Sequence, residues 1–110
     1  MDGYLLRMYL HENHQHKGVL TWEWLLRQAN KLGMHGGSAF RSIAGFGRHH
    51  VVHEDHFFGM VGAITIELNF LVDEVEKNQL MELLKQENIQ LFYTYTPAWF
   101  GMTLGQSTAG

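Results

Sequence analysis

The chain has 110 residues, 45% of them hydrophobic, so it can bury one ordinary core and is expected to form a single domain over residues 1–110. A formal net charge of −3 argues against a nucleic-acid-binding protein, which normally has a basic face. The sequence contains no cysteine, which excludes disulfides and thiolate zinc sites. No apolar run reaches the roughly 18 residues that span a bilayer, and the first residues do not resemble a signal peptide. We therefore expect a cytoplasmic protein.

The first quarter of the chain predicts a strand followed by a helix. Residues 4–10 alternate, which places Leu6, Met8 and Leu10 on one face of a strand. Residues 19–32 then follow a helical period, with one apolar face made of Trp22, Leu25, Leu26, Ala29 and Leu32. Gly33 is placed to end this helix in a left-handed conformation.

The middle of the chain predicts two strands separated by a long connection. The pair Gly36-Gly37 predicts a turn, and residues 38–43 predict the second strand. Residues 44–62 show no clear period, so we interpret them as a long loop of the kind that usually has a function. Residues 63–72 alternate again and predict the third strand.

The last third predicts a helix and a final strand. Asp73 can cap this helix, whose inward face is predicted to hold Val75, Leu80, Leu83 and Leu84. Asn88 is expected to close the helix. Residues 90–96 predict a fourth strand ended by Pro97, and the tail, residues 105–110, is expected to fray.

The predicted order is strand, helix, strand, strand, helix, strand. This βαββαβ order is typical of the ferredoxin-like α+β sandwich, with an antiparallel four-stranded sheet and both helices on one face. Leu5, Tyr9 and Leu71 make the other face too apolar for water, so we expect it to be covered by further copies of the chain.

A glycine–aromatic–glycine sequence at the start of the long loop is the first candidate ligand site. Gly45 and Gly47 permit positive φ and close approach to backbone N–H groups, and Arg48 supplies a positive charge beside them. Arg41 lies just before, in a predicted strand. It needs either a carboxylate partner, Glu12 or Glu67, or a phosphate ligand.

Histidines give a second candidate site, for a divalent metal. The long loop contains His49, His50, His53 and His56 together with Glu54 and Asp55. A second group, His11, His14 and His16 with Glu12, offers the same donor types. Imidazole and carboxylate suit zinc, copper or nickel, but the spacing matches no established zinc pattern. A polar loop with solvated histidines is the alternative interpretation.

The sequence gives no indication of an enzyme. Ser42, His49 and Asp55 lie close in sequence, but nothing orients them as a triad and there is no Gly-x-Ser-x-Gly elbow. Pairs of catalytic acids are not identifiable either.

The chain resembles the PII-like signalling proteins, specifically a small uncharacterised-domain branch of that superfamily. The resemblance runs over residues 4–97 and rests on Leu6-Arg7-Met8-Tyr9-Leu10, on Glu12, on Gly36-Gly37 and above all on Arg41-Ser42-Ile43-Ala44-Gly45-Phe46-Gly47. It implies a homotrimer whose intersubunit clefts hold adenine nucleotides, with no further cofactor. It also implies that residues 44–62 form a T-loop that engages a partner protein, such as a membrane transporter.

The resemblance also implies which residues bind the ligand. Gly45, Phe46 and Gly47 would form the base of the T-loop at the nucleotide, with Arg48 nearby. Residues 86–90 lack the second glycine-rich loop of classical PII proteins, which favours AMP or ADP over ATP. Two alternatives stay open: a metal-responsive trimer, by analogy of fold with the divalent-cation tolerance protein CutA, and a structural trimer with a vestigial site.

Overall fold

The computed structural model describes residues 1–46, 52–54 and 64–105. Its centre is an antiparallel sheet with strand order β4-β7-β1-β8, in which two helices pack on one face. The sheet strands are β1 (Asp2–His11), β4 (Gly36–Arg41), β7 (Thr65–Val72) and β8 (Phe92–Trp99). The helices are α1 (Thr21–Lys31) and α2 (Glu74–Gln86). Two short two-stranded ribbons complete the described secondary structure. They are β2 (Gln15–His16) with β3 (Val19–Leu20), and β5 (Ala44–Phe46) with β6 (Val52–Glu54). The ferredoxin-like α+β prediction is confirmed.

The core lies between the sheet and the helices, as the alternation of β1 and β7 predicts. Leu6, Met8 and Leu10 are buried in β1, and every second residue of β7 is buried opposite them. The helices contribute Leu25, Ala29, Leu80 and Leu84. Burying these side chains supplies the main favourable term for folding, about 1.5–3 kcal/mol for each large aliphatic residue.

Local rules fix the helix ends. Asp73 accepts a hydrogen bond from Glu76 N at 2.8 Å, while the Glu76 carboxylate accepts one from Asp73 N at 2.9 Å, which makes a reciprocal capping box. Gly33 follows α1 with φ 77° and Asn88 follows α2 with φ 58°. In both cases the N–H of this residue and that of the residue after it donate to carbonyls of the last turn, so both predicted helix ends are confirmed.

The start of the first helix is predicted two residues too early. Residues 19–20 belong to β3, which pairs with β2 through the two-residue turn Lys17-Gly18, where both φ values are positive. Helix α1 begins only at Thr21.

Gly36 and Gly37 do not form a turn but open the edge strand β4. A Cβ atom at Gly37 would lie 3.1 Å from the Phe70 ring and 3.3 Å from the Leu26 side chain. Glycine at this position therefore lets the backbone of β4 lie close to the Phe70 and Leu26 side chains. The sequence pattern does not reveal this close contact.

Three further expectations were wrong. Pro97 does not end the fourth strand, because β8 is the edge strand next to β1 in the described sheet and tolerates a residue without an N–H group. Val75 is 64% exposed rather than inward, because it lies five residues before Leu80, about 140° around the helix. Leu32 is also exposed, since it caps α1 beyond its last turn.

Candidate functional site

The base of the 44–62 segment is held by an ion pair between the last residue of β4 and the residue after β1. Arg41 donates to Glu12 Oε1 through Nη2 and also through Nε, the latter at 3.2 Å. The Glu12 side chain is only 18% exposed, and its N–H bonds to the Ile64 carbonyl at 2.9 Å. The Arg41 side chain remains 60% exposed. The carboxylate expected for Arg41 is therefore Glu12, whereas Glu67 pairs with Arg7 at 3.8 Å.

Ser42 marks the point where the chain leaves the sheet. Its N–H bonds to the Thr65 carbonyl at 2.9 Å, and its hydroxyl accepts from Thr65 N at 3.3 Å. These contacts give Ser42 a role in closing the β4–β7 pair. The next residue, Ile43, is 85% exposed.

The described part of the 44–62 segment is a two-stranded ribbon rather than irregular loop. Gly45 of β5 pairs with His53 of β6, and its φ lies outside the left-handed region, so the predicted positive φ is not used there. Phe46 is the last residue of β5. Gly47, Arg48, His49, His50 and His56 lie outside the described residues, and their predicted roles stay predictions.

A cavity of about 340 Å³ lies at the same end of the sheet, where α2 passes into β8. Its apolar walls are Met8, Met81, Leu84, Ile89, Leu91 and the Tyr93 ring. Lys85, Asn88 and Gln90 add one cation and two amides. Sequence reasoning missed this cavity, because residues 86–90 lack the glycines by which a phosphate loop is recognised. The signal that was present is Asn88, whose left-handed φ turns the chain from α2 into the cavity wall.

The β2–β3 hairpin beside that cavity contains His16, and His14 comes just before it; both belong to the second group of predicted histidines. His16 Nε2 donates to Glu87 Oε1 at 2.7 Å, and Lys17 Nζ lies 3.1 Å from the same oxygen. The His16 ring also packs on Trp24, with ring centroids 4.8 Å apart. The hydrogen bond from His16, followed by that from Lys17, lowers the pKa of Glu87. His14 Nδ1 lies 2.6 Å from the buried Thr21 hydroxyl.

These contacts do not form a metal site. Within residues 1–46, 52–54 and 64–105, no three histidine, aspartate or glutamate side chains are gathered in a way that could hold an ion. The expectation that His11, His14, His16 and Glu12 form such a group is therefore wrong. The loop histidines named above remain untested, since only the strand position of His53 is described.

A tyrosine–carboxylate–lysine cluster occupies the opposite end of the sheet. Tyr4 donates to Glu74 Oε1 at 2.7 Å, and Lys77 Nζ lies 4.7 Å from the centre of the Tyr95 ring and 5.3 Å from that of Tyr4. The hydrogen bond raises the pKa of Tyr4 and lowers that of Glu74. A shallow cavity of about 520 Å³ adjoins it, beside the 74% exposed Trp99.

The sheet face away from the helices combines apolar side chains with one ion pair. Phe40 and Phe92 are 54% and 55% exposed, and Leu5, Tyr9 and Leu71 are half-buried. The Arg7–Glu67 pair lies among them on β1 and β7. We call these seven residues the open face.

Solved structures with this architecture define the class of the fold. CPII, a nitrogen regulatory PII-like protein from Thiomonas intermedia K12 bound to ADP, AMP and bicarbonate, superposes with a TM-score of 0.67 at 17% identity, covering 96% of this chain and 93% of that one. CPII bound to ADP and bicarbonate gives 0.64 at 18% identity, covering 96% and 94%. The fold is therefore PII-like.

The sequence comparisons give the family. The profile of the DUF190 family, described as uncharacterized ACR, matches residues 3–95, and the chain belongs to this family. A UPF0166 protein from Aquifex aeolicus (strain VF5) is 25% identical over 81 residues, which are 74% of this chain and 77% of that protein. Neither described helix is long and apolar enough to cross a membrane.

Proposed function

We propose that this protein is a cytoplasmic PII-like regulator that binds an adenine nucleotide, AMP or ADP, in clefts between the subunits of a homotrimer. Residues 44–62 then report the ligand to a partner protein, such as a membrane transporter. The observation that carries the proposal is the cavity at the α2–β8 connection. Its 340 Å³ falls in the range of about 300–1,000 Å³ typical of small-molecule sites. CPII, which shares the fold, is described as bound to ADP and AMP.

The lining of the cavity suits a nucleotide. Tyr93 lines the cavity and is 42% exposed, so we expect its ring to stack on a base, an interaction worth about 1–3 kcal/mol per base. Met81, Ile89 and Leu91 are partly buried and provide apolar surface beside it. The Lys85 ammonium supplies the charge that a single phosphate needs, and the Asn88 amide offers both a donor and an acceptor to a base edge.

The two halves of the proposed site lie on opposite edges of one sheet. Arg41 ends the edge strand β4, whereas the cavity borders the other edge strand, β8. With strands about 4.8 Å apart, three spacings separate these edges by roughly 14 Å. A second copy of the chain, placed with its β4 edge against the β8 edge of the first, brings them together. Gly45, Phe46, Gly47 and Arg48 would then face the phosphate.

The open face supports assembly of the chain with itself. Two exposed phenylalanines and three half-buried apolar residues lie on this face of the sheet, on either side of the Arg7–Glu67 pair. Patches of this kind on soluble proteins usually mark interfaces. In a trimer this patch turns inward.

The test is isothermal calorimetry of the full chain with AMP, ADP and ATP, together with light scattering to measure the oligomeric mass. We expect AMP or ADP to bind and the mass to be that of a trimer. Tyr93→Ala removes the stacking surface and Arg48→Ala removes a phosphate contact, so each should weaken binding by about tenfold or more. Arg27→Ala is the matched control, because the Arg27 side chain is 69% exposed on α1, where it pairs with Glu23 one turn away at 3.6 Å.

The proposal fails if no adenine nucleotide binds, or if Tyr93→Ala and Arg48→Ala bind as tightly as Arg27→Ala. A melting-temperature rise with Zn²⁺, Cu²⁺ or Ni²⁺ but with no nucleotide would instead support the loop histidines as the functional site. Such a rise should disappear below about pH 6, where imidazole is protonated.

A further inference from the structure

The wall of the cavity is attached to a hairpin through one carboxylate. Glu87 caps the C-terminal end of α2, and the next four residues, 88–91, line the cavity. The Glu87 carboxylate is only 26% exposed and accepts from His16, with Lys17 beside the same oxygen. Lys17 lies in the two-residue turn of this hairpin, where both φ values are positive.

The hairpin is itself held firmly. Thr21 N–H bonds to the His14 carbonyl at 2.9 Å, and the His14 ring contacts the buried Thr21 hydroxyl. The His16 side chain is 12% exposed and its ring rests on Trp24 of α1. The Glu87 contact therefore ties the cavity wall to α1 through two rings.

We propose that this contact, which we call the His16–Glu87 latch, makes ligand binding in the cavity respond to pH, so that affinity rises as His16 becomes protonated. This inference rests on the proposed function only for the identity of the ligand. The cavity is present while the latch is closed, so whatever strengthens the latch favours the conformation that binds.

The sign follows from the charges around the ring. Neutral histidine can donate one hydrogen bond to Glu87, but imidazolium adds a positive charge and makes that bond charge-assisted. The charged groups placed against His16 are Glu87 from α2 and Lys17 from its own hairpin, while α1 contributes the uncharged Trp24 ring. Histidine is the side-chain type that most often changes charge near neutral pH, so the test below covers that range. Lys17 shares the oxygen and limits the gain.

The first experiment follows the latch without any ligand. In ¹⁵N NMR spectra of the full chain between pH 5.5 and 8, we expect the amide signals of residues 88–90 to titrate with the same midpoint as the His16 ring. His16→Gln keeps a donor for Glu87 but cannot be protonated, so this titration should vanish. His35→Gln is the matched control, because His35 forms a similar pair with Glu76 at the other end of α2, at 3.3 Å.

The second experiment measures AMP affinity by calorimetry at pH 6.0 and 8.0. The AMP phosphate itself changes charge near pH 6, so the variants are compared with the wild type at each pH. Wild type and His35→Gln should gain about two- to fivefold more affinity on acidification than His16→Gln or Glu87→Gln, the range for one partly exposed ion pair.

Either of two results would refute the latch proposal. One is that the amide signals of residues 88–90 do not change when the His16 ring titrates. The other is that AMP affinity changes with pH by the same factor in His16→Gln as in the wild type. If the amides follow His16 but AMP, ADP and ATP fail to bind at both pH values, the coupling stands and the nucleotide proposal is the part that fails.

Discussion

Replacing Gly3 with alanine should strongly destabilise the fold. A Cβ atom there would lie 2.3 Å from the Val72 carbonyl oxygen and 2.8 Å from Cε1 of the Phe100 ring. Contacts below 3.0 Å are essentially never seen for real Cβ atoms, and a backbone oxygen cannot rotate away. Val72 pairs with Tyr4 at the end of the ladder between the two central strands, so relief requires the first residues of β1 to separate from β7. Overpacking of this kind costs about 1–3 kcal/mol, and one lost ladder hydrogen bond adds about 1 kcal/mol.

Gly36→Ala is the matched control for this prediction. Gly36 also lies in a sheet strand, but a Cβ atom there has no neighbour within 4 Å and its φ is not in the left-handed region. Removing a glycine where the backbone permits it stabilises a protein by about 0.4–1 kcal/mol, since the unfolded chain loses freedom. The two variants should therefore differ by roughly 3 kcal/mol in the free energy of unfolding.

Urea denaturation followed by circular dichroism measures this difference. With a slope of about 1–3 kcal/mol per molar urea, the two midpoints should be separated by about 1 M or more. Both variants must be measured at one protein concentration, because assembly would add a concentration-dependent term. Coincident midpoints would show that the β1–β7–Phe100 contact yields to a methyl group, and the argument from close approach would be refuted.

Two further predictions concern α2. Asp73→Ala removes one half of the capping box and should lower the free energy of unfolding, measured by urea titration, by about 1 kcal/mol. Asn78→Ala on the same helix is the control and should change this free energy little. Equal effects of the two substitutions would rule out a stabilising role for the cap. Hydrogen bonding lowers the pKa of Glu87 below its usual 4.5. The ionised Glu87 carboxylate therefore stabilises the fold above pH 4.5, and this stabilisation is lost as the pH falls through the lowered pKa. The melting temperature of Glu87→Gln should therefore fall less than that of the wild type between pH 7 and pH 3; an equal fall would contradict the assignment.

The elements that sequence reasoning located well are those set by local chemistry. Alternation alone placed the buried residues of β1 and β7, because a strand between helices and solvent must turn every second side chain inward. Gly33, Asp73 and Asn88 were recognised because helix ends need specific side chains or left-handed backbone.

The elements that it missed are those set by neighbours far along the chain. The pair Gly36-Gly37 looks like a turn until Phe70 and Leu26 are placed beside it. The choice between Glu12 and Glu67 as the partner of Arg41 depended on which strands adjoin β7, a fact of sheet order rather than of spacing. The cavity forms where α2 leads into β8, and no sequence motif indicates it.

The central position of β1 also governs how the chain can fold as it is made. Its two partners, β7 and β8, come from the second half of the sequence, so the most apolar early segment emerges from the ribosome with neither neighbour available. At roughly 5–20 residues per second, β1 waits about four seconds or longer for β8. Such long-range pairing slows folding, because the entropy of the connecting chain must be lost before the stabilising contacts between the strands can form. Until the helices and β7 have been made, Leu6, Met8 and Leu10 lack the neighbours that bury them, and chaperones that recognise short apolar strands have their best opportunity at this segment.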